Sequence, residues 1–377
     1  MRIALVHTHL LVAGGGERLL LDMYRALKDL GHEVDLYAAY LDERVWQVIT
    51  DGMGDVPEPT VLGELSINRL FGRAMLIRRL LVAPYWVRRL RPHYDLVIET
   101  FVGVPLRWAD ATYVHFPLVY NLEFYLKQQY GLRLYERAYN LLAIWMARAL
   151  ADYTKPVMTN STWTAKYIRE VYGNQRVYVV HPPVNVEELS TLGADRGRIV
   201  LTVSRISPDK MIAEVPKVAR LVPEAEFYLV GSTSAYSGPV LREIRERAKG
   251  LSNFHLETDV PRRRILELMS QASIYLHPPF AEHFGIAIAE AAAAGLVPVV
   301  YRDGGGWTDI ASRIDPSLGY ANAEEAASII RSLMSDRGRL KVLSARAREV
   351  AKGFSYERFK ERLNEVIREL AGPKAER

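Results

Sequence analysis

The chain of 377 residues contains no cysteine, which excludes disulfides, thiolate metal sites and cysteine nucleophiles together. Nothing in it asks for an oxidising compartment, so a reducing cytoplasm is the expected setting. A long apolar run is also missing. The greasiest stretch, 140–151, is short and carries Arg148, whereas crossing a bilayer takes about 20 apolar residues; no membrane-spanning segment is expected. Met1-Arg-Ile-Ala-Leu-Val at the start reads as a strand, not as a charged leader with an apolar core, so no signal peptide is expected. The glycines Gly14, Gly15 and Gly16 lack the third glycine of a dinucleotide-binding fingerprint, since residue 19 is leucine, and no acidic residue closes the second strand as that fingerprint requires. NAD binding is disfavoured. Short-period repeats and low-complexity segments are absent too.

What is present describes a globular protein: 49% hydrophobic and 25% charged residues, in a length that suits two domains of ordinary size. A net charge of +5 and a pI near 9.1 favour an anionic partner, whether nucleic acid, phosphate or lipid surface. Short β-branched runs at 3–7, 33–37, 95–99, 111–115, 156–159 and 177–180 alternate with helical patterns, the rhythm of parallel strands joined by crossover helices. Pro and Gly interrupt it between 184 and 197, the expected linker. It restarts at 199–203, 226–231, 254–257, 274–277 and 298–301, and helices over 323–334, 337–352 and 355–371 close the chain. The expectation is therefore an α/β protein of two Rossmann-like parallel-sheet domains, 1–185 and 197–354, with the last helix, 355–377, packing back on the first. Open parallel sheets take ligands beyond the carboxyl ends of their strands, so the expected site is a cleft onto which both sets of strand ends face.

The strongest motif is Phe280-Ala-Glu-His-Phe-Gly-Ile-Ala-Ile-Ala-Glu290-Ala-Ala-Ala-Ala-Gly295. Gly285 permits a tight turn and the alanines after it favour helix. The amides of Phe284, Gly285 and Ile286 then lie at a helix N-terminus, where the macrodipole favours a diphosphate. Glu282 falls in the loop before the helix and Glu290 about one turn inside it, so the two carboxylates reach opposite ends of one ligand. Carboxylates suit sugar hydroxyls because they accept charge-assisted bonds in a fixed plane. The alternative is a buried helix whose glutamates pair with arginines.

Val203-Ser-Arg-Ile-Ser-Pro-Asp-Lys210 follows the first strand of the second half. Arg205 and Lys210 on one loop can both reach a diphosphate and neutralise a leaving group; a solvated charged turn is the alternative. Gly15 and Gly16, after the first strand, allow close approach to phosphate or sugar, or form only a tight turn. Nucleotide selection is expected at strand-end backbone near Gly231 and Val260. His7 and His9 suggest a metal pair but have no third ligand nearby in sequence.

The pattern Glu, seven residues, Glu, inside His-Phe-Gly-Ile-x-x-x-Glu-x-x-Ala-x-Gly, resembles the signature of retaining glycosyltransferases of family 4, whose fold is called GT-B. The resemblance covers nearly the whole chain. Gly14-Gly-Gly-Glu-Arg18, Tyr113-Val-His-Phe-Pro117, Thr159-Asn-Ser-Thr-Trp-Thr164 and Tyr301-Arg-Asp-Gly-Gly-Gly306 are together most similar to mannosyltransferases that extend the dolichol-linked oligosaccharide from GDP-mannose. That resemblance implies that Glu282 holds donor-sugar hydroxyls, Glu290 the ribose hydroxyls, Arg205 and Lys210 the diphosphate, and that His115 sits against the donor sugar. Taken alone, a strand-end histidine such as His115 is as well explained by structure. The family's glycine after the lysine is Met211 here, which leaves the path of that loop open. Retention in the family is assigned to a front-face mechanism in which the leaving phosphate helps to deprotonate the acceptor, so Glu282 and Glu290 are not an acid/base pair of the hydrolase kind. The chain has no Asp-x-Asp, and neither a catalytic metal nor a cofactor is expected.

Residues 73–91 mix arginine pairs with Leu, Tyr and Trp. Such a helix either lies on an anionic bilayer with Tyr85 and Trp86 at the headgroups or covers the first sheet with its arginines in water. No nucleic-acid recognition motif accompanies the charge. The functional expectation is a peripheral transferase moving mannose from GDP-mannose to a lipid-linked glycan or glycolipid. The alternatives are a UDP-sugar-dependent transferase of the same family and a nucleotide-sugar epimerase or hydrolase on the same fold.

Overall fold

The computed structural model describes every residue except 52, 66–73, 129–133, 194–196, 235 and 373–377. The chain divides into two compact units, Met1–Pro182 with Glu357–Arg377, and Pro183–Tyr356.

The first unit is built on seven strands in the spatial order Thr60–Val61, Glu33–Ala38, Arg2–Val6, Leu96–Glu99, Ala111–Val114, Val157–Thr159, Val177–Val179. Every neighbouring pair runs parallel. Helices cover the sheet on its faces, so its central strands are buried throughout: all four residues of Leu96–Glu99 and of Ala111–Val114 are inaccessible. A short parallel pair, His9–Leu10 with Tyr40–Leu41, lies beyond the strand ends. The helix Tyr356–Ala371 belongs to this unit. Arg362 Nε donates to the Val179 carbonyl at 3.2 Å, Glu369 accepts from Tyr178 and pairs with Arg176 at 3.5 Å, and Phe359, Leu363 and Ile367 are buried.

The helix Met75–Leu90 lies within the basic stretch whose first residue, Arg73, falls outside the described residues. Its buried face, Ile77, Leu80, Ala83 and Val87, covers the sheet as the second sequence reading expected. Arg79 is half-buried, donating to the Val102 carbonyl at 3.2 Å with its guanidinium over Phe101. Trp86 is half-buried and its indole donates to the Gly63 carbonyl at 3.2 Å. Tyr85 is exposed.

The second unit carries six parallel strands in the order Phe254–Thr258, Glu226–Gly231, Ile199–Val203, Ile274–Leu276, Val297–Tyr301, Gly319–Tyr320. The division falls at Pro182–Pro183, before the 184–197 linker read from sequence, of which 194–196 are not described. Val184, Val186 and Leu189 explain the shift: they are buried in the second core, and a short helix, Val186–Ser190, forms where Pro and Gly suggested an irregular connection.

Candidate functional site

In the second unit the chain leaves the strand Ile274–Leu276 and turns into the helix Ile286–Ala294. The turn depends on Gly285, whose φ of +94° is a region that side chains avoid. Its carbonyl accepts from the amides of Ile288 at 2.9 Å and Ala289 at 3.0 Å, while the amides of residues 285 and 286 precede any intrahelical acceptor. Six buried residues, Ile288, Ala289 and Ala291–Ala294, sink the helix into the core, so only its N-terminal turn and the loop before it are available to a ligand.

Glu282 sits in that loop, half-buried, with Oε2 2.8 Å from Lys210 Nζ. Burial alone raises its carboxyl pKa, but the Lys210 ammonium and the neighbouring His277 and His283 outweigh this and hold it at about 2. The carboxylate is ionised throughout the physiological range. Lys210 is also 4.3 Å from the Phe280 ring centroid, a cation-π contact that fixes its direction. The loop backbone is clamped from outside by Gly304 and Gly305. The Gly305 amide donates to the Glu282 carbonyl at 2.7 Å, and a Cβ on Gly305 would lie 2.1 Å from the His283 carbonyl oxygen. The glycines of 304–306 were quoted for resemblance without a role; for Gly304 and Gly305 the structure shows this backbone contact, and for Gly306 a close approach to the Ile288 side chain, and no local signal in sequence identifies either.

Glu290, half-buried one turn into the helix, accepts from Arg262 Nη1 at 2.9 Å, and Arg262 also lies 3.5 Å from Glu188. Both readings of the motif are therefore realised in part: the glutamates are at the helix start, and one of them is paired with an arginine. Sequence reasoning missed Arg262, since nothing in Pro261-Arg-Arg-Arg264 distinguishes one arginine from the next.

Lys210 and Met211 lie on the loop after Ile199–Val203. Met211 has φ +48° and ψ +25°, the left-handed conformation. The loop thus follows the glycine path although the residue is not glycine. Arg205 is exposed and faces Asp209 at 3.8 Å; it does not share the Lys210–Glu282 contact. Gly231 ends its strand so close to the same loop that a Cβ would lie 2.6 Å from Ile206 Cγ1. Val260 is half-buried just beyond the strand Phe254–Thr258 and packs on the core.

In the first unit the glycine run opens the helix Gly15–Asp29. A Cβ on Gly16 would stand 3.2 Å from His115 Nε2, so the glycine run and the strand-end histidine lie side by side. Glu17 joins them, 3.9 Å from His7 Nε2, while His7 Nδ1 contacts Thr100 Oγ1 at 2.9 Å. Although burial raises the Glu17 pKa, its bond and charge interaction with His7 bring it below the ordinary value, with His115 adding to the effect.

One residue escaped the sequence reading entirely. His277, 5% exposed, ends Ile274–Leu276 as His115 ends Ala111–Val114. The two strands match further: Tyr113 donates to the Val180 carbonyl at 2.7 Å and Tyr275 to the Val203 carbonyl at 2.9 Å, each two residues before its histidine. Burial, with Lys210 adding to it and Glu282 opposing, lowers the His277 pKa to about 4, so the ring is neutral beside the ion pair. The repeated Tyr-x-His was the signal available. Among the described residues no group of three or more His, Asp or Glu is arranged to hold a metal ion, and no helix is long and apolar enough to cross a membrane.

Two family models match adjoining stretches, Glycosyltransferase Family 4 over residues 13–188 and Glycosyl transferases group 1 over residues 187–350. A Dictyostelium discoideum protein named GDP-Man:Man(3)GlcNAc(2)-PP-Dol alpha-1,2-mannosyltransferase is 24% identical over 59% of this chain and 48% of its own length. The protein of that name from Neurospora crassa is 31% identical over 58% of this chain and 46% of its own. The chain spans about half the length of these relatives. Among solved structures, Anabaena Alr3699/HepE in complex with UDP matches with a TM-score of 0.70 at 18% identity, covering 97% of this chain and 99% of that one. This likeness shows the fold, the two-Rossmann GT-B type.

Proposed function

The chain belongs to the glycosyltransferases, a family 4 domain joined to a group 1 domain, and from that premise we propose that it is a retaining hexosyltransferase moving mannose from GDP-mannose to a lipid-linked glycan or glycolipid. The observation that carries the reading is the Lys210–Glu282 pair, 2.8 Å long, at the mouth of the Gly285 helix start. In support of the reading, a cation and an ionised carboxylate stand together at the start of a helix, whose first amides favour a phosphate. The names of the relatives support mannose as the sugar.

In this reading the helix amides at 284–286 and Lys210 bind the diphosphate, and Arg205 swings from Asp209 to join them. Negative charge grows on the leaving phosphate as the glycosidic bond breaks, and fixed cations stabilise that charge without reorganising. Glu282 accepts from sugar hydroxyls. Glu290 accepts from ribose hydroxyls while its bond from Arg262 holds the carboxylate in place. Gly231 and Val260 border the base. In the first unit, Gly15 and Gly16 leave room for substrate beside His115, whose ring bonds a sugar hydroxyl. No enzyme carboxylate acts as nucleophile; the departing phosphate oxygen takes the acceptor's proton on the face it leaves. The protein works as a peripheral enzyme at an anionic membrane surface, with the exposed arginines of Met75–Leu90 towards the lipid.

The test is incorporation of labelled sugar into lipid, using a panel of nucleotide sugars with a membrane lipid extract. Label transferred from GDP-mannose and from no other donor is the expected result. Transfer from UDP-sugars alone overturns the mannose assignment, and rapid sugar release without acceptor replaces transfer by hydrolysis.

A further inference from the structure

Between the helices Met75–Leu90 and Leu134–Leu150 of the first unit lies an open cavity of about 330 Å³, within the roughly 300–1,000 Å³ of ordinary ligand sites. Its walls are apolar: Leu80, Leu81, Pro84, Trp108, Trp145 and Leu150. No residue proposed above for donor chemistry lines it.

Two observations indicate what enters. The cavity continues onto an exposed apolar stripe of the second helix, where Leu134, Leu141, Leu142 and Trp145 are 85%, 58%, 42% and 67% exposed. These positions fall at helical spacing on one face. A folded helix that presents leucine and tryptophan to water in a contiguous row marks a contact surface. The second observation is charge. Arg88 lines the mouth with its guanidinium 6.0 Å from the Trp108 ring centroid, and Arg89 is exposed on the next position. Arg88 has no carboxylate partner among the described residues, whereas Arg89 is already engaged, donating from Nη1 to the Tyr85 hydroxyl at 2.7 Å. An apolar slot with one guanidinium, that of Arg88, in its lining is complementary to a phosphate ester carrying one long hydrocarbon chain.

We propose that this cavity is the binding slot for the hydrocarbon chain of the lipid acceptor, with Arg88 at its phosphate. The proposal rests on the lipid-acceptor reading above and names where that lipid's tail goes. It also gives the exposed Trp145 a purpose that folding does not supply.

The probes are decyl, dodecyl and tetradecyl phosphate, with inorganic phosphate as the headgroup alone, and binding is followed by the emission of the two tryptophans in the wall. Affinity is expected to rise about fourfold per methylene added until the slot is full. Trp145→Glu places a charge in an exposed wall, and Ala149→Trp fills the slot while keeping it apolar. Both are expected to abolish the dependence on chain length and to leave donor hydrolysis unchanged. Inorganic phosphate binding as well as the alkyl phosphates, or an unchanged chain-length dependence in both variants, overturns the proposal. Failure of the transferase reading appears separately, as absence of turnover of any nucleotide sugar by the unmodified protein.

Discussion

Glu282 depends on the charge of Lys210, and the dependence has a sign that can be measured. Glu282 is held at about 2, below its ordinary value, because Lys210 and two histidines outweigh the effect of burial. Its contribution to stability is therefore fully present above the unfolded value near 4.5 and is lost progressively as pH falls from there through about 2. Lys210→Met removes the compensation, leaving burial to raise the pKa. The variant is expected to lose about 2 kcal/mol at neutral pH and much less near pH 3, read as the urea midpoint at the two pH values. On the proposed reading, in which Lys210 is a fixed cation at the leaving group, donor turnover is expected to fall about 100-fold. Equal activity of variant and parent would remove Lys210 from the site. Its neighbour Met211 makes the opposite kind of statement. A methionine at φ +48° is held in a conformation that costs about 1 kcal/mol, and at 48% exposure little of its side chain packs. Met211→Gly is expected to raise stability by about 0.5 kcal/mol and keep donor affinity, checked by denaturant unfolding and donor titration. A local reading could name the substitution but not its conformation, because the neighbours of the loop decide whether the backbone bends around an unfavourable residue.

The helix Gly15–Asp29 carries a titratable group on its buried side. Asp22 is 7% exposed between Leu21 and Met23, with Arg18 3.9 Å away. Burial raises its pKa to about 7, with Arg18 and Arg25 opposing. Because the folded value lies above the unfolded one, the stabilising contribution is present below about pH 4 and is lost as pH rises through about 7. Asp22→Asn is accordingly expected to match the parent near pH 4 and to exceed it by about 2 kcal/mol at pH 8; a gap independent of pH would refute the assignment. The pattern of leucines made this helix legible, but an aspartate on a leucine-rich face looks the same in sequence whether it points inward or out. The helix Ile286–Ala294 was legible for a stronger reason, since Gly285 before it and Gly295 after it both adopt positive φ and alanine favours helix without help. Its partner Arg262 was not, since it comes from an element 28 positions away in sequence.

The two units repeat one plan, a parallel sheet whose strand ends carry the polar residues, and each has a Tyr-x-His at the end of a buried central strand. If the charge of the diphosphate is met by Arg205, Lys210 and helix amides, a chelator is expected to leave the transfer rate within about twofold; a rate abolished by EDTA and restored by magnesium would show that a metal shares that task. The sequence by itself determined the two-fold α/β rhythm, the strand ends and the glycine-led helix, because periodicity, glycine and alanine act on a few neighbouring residues. Tertiary structure alone decided the position of the unit boundary, the pairing of Lys210 with Glu282 and of Arg262 with Glu290, the bond of Arg79 to the Val102 carbonyl and the apolar slot beside Trp145. Each of these depends on which residues distant in the chain come within a few ångströms of one another, and thereby on where charge is desolvated and where apolar surface is left uncovered.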